Sequence, residues 1–478
     1  MSTESQTTVS PSPRVKGPRV FPFMGSNTSI VKFFGDPIGI MQALYKDYGL
    51  IAAVRNGDPS LVCAFGAEHN RRFLSDQSQY HNFAEFPYPV PAASSLNRLN
   101  QSLTNMNDDL HRRQRKLMMP AFSKATIQSY RDDMVAITEE RLANWHPGII
   151  TDVSSEMLEL TLDIAMQCLF GLKVGAQARN LGHAGMHLLQ GMTSLQVMMF
   201  PFNVPGTPYA RLLKLGVDLE GMLRTLIKTR RQDTEEKKDV LSLLINSHDE
   251  EGTGLTDDEL VGQTNLLFLA GHETTAYTLV FTLFLLSQHP EIYAKLLQEL
   301  DSELHGTAPT LEQLDKLPYL DSVVKESMRL IPAAPFMFIR KGVKDFDLGP
   351  YPLPEGSKIV LSPLITHRMP EVFPDGDRFM PERWNSIKPT IYEYLPFGAG
   401  PRMCIGAGFA AQEIRIVLAI MVQKFKMSMA ENMNLSYMVR GITLGPKYGM
   451  AMNIAHQDGH FERRKAVKGN INELVDFG

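Results

Sequence analysis

Residues 397–406 read Phe397-Gly-Ala-Gly-Pro-Arg-Met-Cys404-Ile-Gly406. The residues after the cysteine, GAGFAAQEIRIVLAIMVQKF, carry apolar side chains at helical spacing. A glycine-rich loop therefore delivers one cysteine to the start of a helix. The glycines permit tight turns and let the backbone approach a flat ligand closely. A helix N-terminus and the loop amides favour a thiolate over a thiol. A thiolate trans to bound dioxygen pushes electron density toward O–O cleavage, and such a cysteine suits that chemistry. A lone cysteine is more often a small buried hydrophobe. The whole pattern around Cys404 argues against that reading.

Around this loop lies a chain of 478 residues, 44% hydrophobic and 21% charged, an ordinary globular composition. No linker, low-complexity run or repeat interrupts residues 30–455. The expected organisation is a disordered lead over 1–17 and one domain over 18–478, with a loosely ordered tail after His456. The net charge of −4 argues against a nucleic-acid partner. Three cysteines, Cys63, Cys168 and Cys404, exclude a disulfide scaffold and a four-cysteine iron–sulfur site. No apolar run approaches the ~18 residues of a membrane span, and the N-terminus lacks the apolar core of a secretory signal. The expectation is a soluble, cytoplasmic monomer.

Upstream, residues 123–304 are mostly helical by apolar spacing. The clearest helix starts at the capping box Thr256-Asp-Asp-Glu259 and runs to Ser287, before His289-Pro290. At ~32 residues it would span about 48 Å, enough to cross a domain. PEIYAKLLQEL and PYLDSVVKESMRL continue as helices, the latter with Pro318 in its first turn. After Arg329 the chain turns rich in Pro and Gly, with short alternating runs such as SKIVLSPL, which read as strands. GITLGPKYGMAMNI reads as closing strands.

The loop FGAGPRMCIG resembles the haem-binding signature of the cytochrome P-450 family. Three further stretches resemble that family's motifs, in its order: Ala270-Gly-His-Glu273-Thr274-Thr275, Glu326-Ser-Met-Arg329 and Phe379-Met-Pro-Glu-Arg383-Trp384. The resemblance covers about residues 30–455 and implies a mainly α fold with a small β region. In that fold a haem b lies between the long central helix and the cysteine loop. It further implies that Cys404 binds the iron, with Phe397 and Gly406 shaping its loop. Glu326 and Arg329 are i,i+3 neighbours that could be a weak surface pair. The resemblance makes them a buried structural pair, with Arg383 as a second cation. Gly271 costs about 1 kcal/mol against alanine in a helix. Thr274 can bond back one turn and open the helix. With Ala270 and Gly271 this leaves room for dioxygen, and Glu273 with Thr274 forms an acid–alcohol pair able to relay protons. His111 and Arg115, i,i+4 on one face, and Arg402 suit the haem propionates. Arg340 lies one residue further from Arg329 than the family leads one to expect and is set aside.

Two rival motifs fail. Gly406-Ala-Gly408-Phe-Ala-Ala411 matches a dinucleotide fingerprint, but no β-branched strand precedes it and no ribose-binding acid follows. His272-Glu273 opens like a zinc-protease motif, but its fifth position is Ala276. A non-catalytic haem-thiolate sensor is the alternative function, and the Glu273–Thr274 pair argues against it because a carrier needs no proton relay. Relatives that use peroxide or rearrange their substrate commonly lack that pair. Electrons are therefore expected from a separate ferredoxin or flavodoxin with its reductase, docking on Arg112, Arg113 and Lys116. From Gly182 to Ala210 there is no Lys, Arg, Asp or Glu, and the run holds Met186, Leu188, Leu189, Met192, Leu195, Met198, Met199, Phe200 and Phe202. By position it resembles the family's mobile roof over a lipophilic substrate, and methionines adapt to varied apolar shapes. The segment HNFAEFPYPVPAASSL looks like the facing loop.

Overall fold

The Thr256 capping box forms as read: Glu259 N–H donates to Thr256 Oγ1 at 3.3 Å, and Thr256 N–H to Glu259 Oε2 at 2.8 Å. The expected single helix is two, Asp257–Gly271 and Glu273–Gln288, separated at His272, whose φ of −115° lies well off the helical mean of about −63°. Every residue from Thr275 to Gln288 is buried, so this half is a core helix with no solvent face. The computed structural model describes residues 13–19, 27–233, 235, 237–461 and 467–477.

Around this axis pack the helices Val153–Phe170, Ala176–Met192, Pro208–Gln232, Pro318–Leu330 and Ala407–Lys424. The roof helix Ala176–Met192 lies hard against the central one: a Cβ on Gly185 would overlap the Phe268 ring. One large apolar core joins these elements, and a smaller one lies against the sheet.

The strands are β1 (Ile51–Ala53), β2 (Leu61–Ala64), β3 (Tyr80–Phe83), β4 (Ile150–Asp152), β5 (Ile339–Gly342) and β6 (Phe346–Leu348). They continue as β7 (Tyr351–Leu353), β8 (Lys358–Leu361), β9 (Phe425–Met429), β10 (Tyr437–Arg440), β11 (Thr443–Pro446) and β12 (Ala451–His456). The main sheet has the order β1-β2-β8-β5-β3, with β2 and β8 parallel. The strands expected after Arg329 are present, but β1 to β4 were not anticipated. β2, Leu-Val-Cys-Ala, is buried throughout, and so short an apolar run has no period that tells strand from helix. β10 and β11 form a hairpin beside the helix Glu273–Gln288.

Both chain ends differ from expectation. In the lead, Val15 is buried and Ala53 N–H donates to Lys16 O at 2.8 Å, so this stretch lies along β1. Residues 1–12 lie outside the described residues. The tail is packed: Val467, Ile471, Leu474 and Val475 are buried, and the backbone at Asp476 forms an isolated parallel β-bridge with Arg378. Its alternation of apolar and polar residues is too short to register as a pattern.

Candidate active site: the cysteine loop and the broken helix

The loop from Phe397 closes on itself: Cys404 N–H donates to Phe397 O at 2.8 Å and Met403 N–H to Gly400 O at 3.0 Å. Gly398 and Gly400 take φ of 71° and 70°, conformations that glycine adopts without strain. A Cβ on Gly400 would also overlap the Leu74 carbonyl, so close backbone approach fixes this glycine twice over. The helix Ala407–Lys424 starts one residue after Gly406. Cys63 and Cys168 are buried, whereas Cys404 is accessible. Burial nevertheless pushes the Cys404 thiol up, which means that protein surrounds it on most sides. Burial outweighs the Gly406 backbone N–H and Arg115, which pull the other way. Cys63 is raised by burial with no opposing cation. Cys168 is raised by burial and by Asp133 and Glu413.

In the central helix the break exposes one residue. Ala270 is accessible although Leu267 and Phe268 just before it are buried. Thr274 Oγ1 donates to Ala270 O at 2.9 Å, and Thr161 Oγ1 to His272 O at 3.0 Å. The Thr274 hydroxyl thus bonds back one turn across the interruption, while His272 O, which also accepts from Ala276 N–H at 2.9 Å, gains a second donor in Thr161. A Cβ on Gly271 would come 2.9 Å from Leu169 Cδ1, so this glycine also eases the approach of the neighbouring helix. Glu273 and Thr274 are adjacent but face differently: Glu273 Oε1 accepts from the Tyr277 hydroxyl at 3.4 Å. Burial raises the Glu273 carboxyl, and Arg440 opposes it.

Four basic side chains gather beside the loop. His111 and Arg115 come from the helix Asp108–Met118, and Arg402 from the loop. Arg340 comes from β5, where register sets it opposite Asn82 of β3. Arg402 donates to Leu103 O at 3.1 Å, and to Met106 O and Asn107 Oδ1 at 2.7 Å. Arg340 donates to Asn82 Oδ1 and, at 3.0 Å, to Phe338 O. None of Arg115, Arg340 and Arg402 has a carboxylate within ion-pair distance among the described residues. Burial first, then Arg402, Arg115 and Arg340, pushes His111 down to about 4. Burial, and then Arg402, likewise lowers Arg340. Among the described residues, His111 Nδ1 and Arg402 Nε are buried without hydrogen-bond partners. Arg340 is buried and Arg115 and Arg402 are half-buried; these three cations, the two orphaned nitrogens and an accessible thiol suit a flat iron macrocycle bearing two carboxylates. These residues therefore fit haem b. Sequence spacing alone misses Arg340; its strand register is the signal that finds it.

Below the loop, Glu326 and Arg329 are fully buried and paired through two bonds of 2.9 Å. Arg383 Nε donates to Glu326 Oε1 at 2.8 Å, and Trp384 Nε1 to Oε2 at 3.1 Å. Arg329 also reaches the carbonyls of His367 and Gly376, at 2.8 and 2.7 Å. Breaking such a buried pair leaves a charge unpaired, typically at a cost of ~3–5 kcal/mol. His367 connects the pair to the loop: Leu395 N–H donates to His367 Nε2 at 2.9 Å, and Nδ1 meets Arg329 O at 3.2 Å. The sequence reading overlooked Trp384 and His367 as members of this buttress.

Two expectations about the surface are refined. Arg112, Arg113 and Lys116 are not lone cations, because acids of this chain pair with them and reduce the local positive charge. Arg113 pairs with Asp249 at 2.9 Å and Glu259 at 3.5 Å, Lys116 with Glu250 at 2.5 Å, and Arg112 with Asp109. In the apolar run, Leu188 is buried and Met186, Leu189, Met192 and Met198 are half-buried. Leu195, Met199, Phe200 and Phe202 instead turn outward. The facing loop is tied to this roof: the Tyr88 hydroxyl donates to Met192 O at 3.0 Å and that of Tyr209 to Pro89 O at 2.7 Å. Among the described residues, no helix is long and apolar enough to cross a membrane.

Residues 15–451 match the protein family described as Cytochrome P450. The chain is 32% identical over 345 residues to pentalenene oxygenase of Streptomyces avermitilis, covering 71% of this chain and 75% of that protein. It is 28% identical over 427 residues to sterol 14alpha-demethylase of Mycolicibacterium vanbaalenii, covering 87% and 92% of the two chains. The solved structure of retinoic acid-bound cyanobacterial CYP120A1 matches with a TM-score of 0.80 at 25% identity, covering 93% of this chain and 100% of that one.

Proposed function

The chain belongs to the cytochrome P450 family and is a haem b monooxygenase, and we propose that it inserts one atom of dioxygen into a large apolar ring compound. Haem held through Cys404 supplies the activation of dioxygen. The residues of this chain supply position, exclusion of water and protons. His111, Arg115, Arg340 and Arg402 hold the two propionates, and Phe397 and Gly406 fix the cysteine loop. Ala270, at the helix break, leaves space on the oxygen side. Thr274 holds water there through the free lone pairs of its hydroxyl, and Glu273 replenishes the proton. Glu326, Arg329 and Arg383 keep the loop in place without touching the ligand. The observation that carries this reading is the accessible Cys404 thiol beside basic groups with no carboxylate at ion-pair distance among the described residues.

The substrate class rests on two supports. The half-buried Met186, Met192 and Met198 offer an adaptable apolar roof. Similar proteins are named for pentalenene, a sterol and retinoic acid. The reaction is a hydroxylation or an epoxidation. Electrons come from a separate ferredoxin or flavodoxin with its reductase. The test screens hydrocarbons, sterols and retinoids for displacement of haem-bound water in the absorption spectrum. NAD(P)H-dependent product is then measured with a surrogate redox pair. Oxygenated product from an apolar ring compound supports the reading. Tight binding without any product from the whole panel would instead favour a ligand sensor.

A further inference from the structure

Glu273 opens the second half of the central helix, but its carboxylate turns toward the β10–β11 hairpin. The Tyr277 hydroxyl, one turn along the helix, donates to Glu273 Oε1 at 3.4 Å. The Tyr277 ring lies directly against β11, where a Cβ on Gly445 would overlap it. Glycine at that position lets the strand backbone cover the tyrosine. Thr443, also in β11, is buried, and register places it opposite Arg440 at the end of β10. Arg440 is exposed, Glu273 half-buried, and Tyr277 buried. Polar groups thus step inward from solvent at Arg440 to Glu273 at the helix break. Thr274 donates to Ala270 O and so belongs to the other side of the break, about 100° round the helix.

We propose that Glu273 is the inner end of a proton inlet through the β10–β11 hairpin, with Arg440 at its mouth and Tyr277 and Thr443 as positioning residues. The inference rests on reading Glu273 and Thr274 as the acid–alcohol pair. The carboxylate of Glu273 takes a proton from water on the Arg440 side, which forms its O–H bond. That bond breaks as the proton passes through water toward Thr274, and the carboxylate is restored. Arg440 attracts the carboxylate form and so resets it for the next proton, while the Tyr277 hydroxyl holds it at the hairpin between transfers. Consistent with this, Arg440, Tyr277 and Thr443 all oppose the upward push of burial on Glu273.

The test uses the haem-loaded enzyme with a surrogate redox pair and four variants: Tyr277→Phe, Arg440→Gln, Arg440→Lys and Thr274→Ala. Product per NAD(P)H and the solvent isotope effect on turnover are measured for each. The carboxyl infrared band, assigned by its loss in Glu273→Gln, gives a readout independent of turnover. A general acid–base contribution is worth on the order of 10²–10⁴-fold, and groups acting through Glu273 should cost roughly tenfold of it. Tyr277→Phe, which keeps the ring, and Arg440→Gln should each lower coupling by about that factor, raise the isotope effect and shift the carboxyl band. Arg440→Lys should restore all three. If Thr274→Ala uncouples while Tyr277→Phe and Arg440→Gln behave as wild type, the inlet is elsewhere. If Thr274→Ala is itself fully coupled, the acid–alcohol reading fails and the inlet with it.

Discussion

Thr274 and Thr275 differ by one position and by everything around them. The Thr274 hydroxyl bonds to Ala270 O at the accessible break, whereas Thr275 is buried in the core. Thr274→Ala is expected to bind substrate and consume NAD(P)H as before, but to send electrons to hydrogen peroxide, with product per NAD(P)H falling roughly tenfold or more. Thr275→Ala should stay close to wild-type coupling. A larger loss in Thr275→Ala would make the motif a matter of packing. Arg340 gives a second residue-scale test. A hydrogen bond to a charged group is worth ~1.5–3 kcal/mol, or about 10–100-fold. Arg340→Gln should therefore speed transfer of haem to a scavenging apoprotein by about that factor. An unchanged rate would leave Arg340 a partner of Asn82 alone. The role of Arg340 was not legible in the linear spacing, because strand pairing across 258 residues brings it to Asn82. Cys404 was legible because the glycines that turn its loop and the helix that follows are its neighbours in sequence.

The elements that support the loop are held by His367. It accepts from Leu395 N–H through Nε2 and must stay neutral to do so. Burial, and then Arg329, pushes its pKa down to about 3, against about 6.5 in an unfolded chain. Between those values the unfolded chain binds a proton that the folded one excludes. This part of the stability is complete above pH ~6.5 and is lost as pH falls toward 3. Urea unfolding at pH 7 and pH 5 should show the wild type losing ~2 kcal/mol more than His367→Gln over that interval. Parallel losses in the two proteins would show that His367 is not the group excluded from protonation. Of this buttress, the Glu326–Arg329 pair was legible as an i,i+3 spacing, but its burial was not. Only tertiary packing distinguishes a buried pair from a surface pair, and Trp384 and His367 join it through contacts 58 and 38 residues away.

Across the whole molecule, the helical frame and the order of its motifs were legible, since amphipathic periods and caps are local signals. The main sheet was only half legible. It joins β1, β2 and β3 from the first hundred residues to β5 and β8, and each strand has three or four residues. The packed tail and the paired Arg113 depended on partners far along the chain. The roof was legible as apolar, yet not which side chains would face inward. Everything proposed for this enzyme requires that one sulfur, and no other, holds the iron. The reduced carbon monoxide complex of wild type, Cys63→Ala, Cys168→Ala and Cys404→Ala tests that directly. The red-shifted band of thiolate ligation should persist in the first three and disappear only in Cys404→Ala; its survival in Cys404→Ala would contradict the assignment.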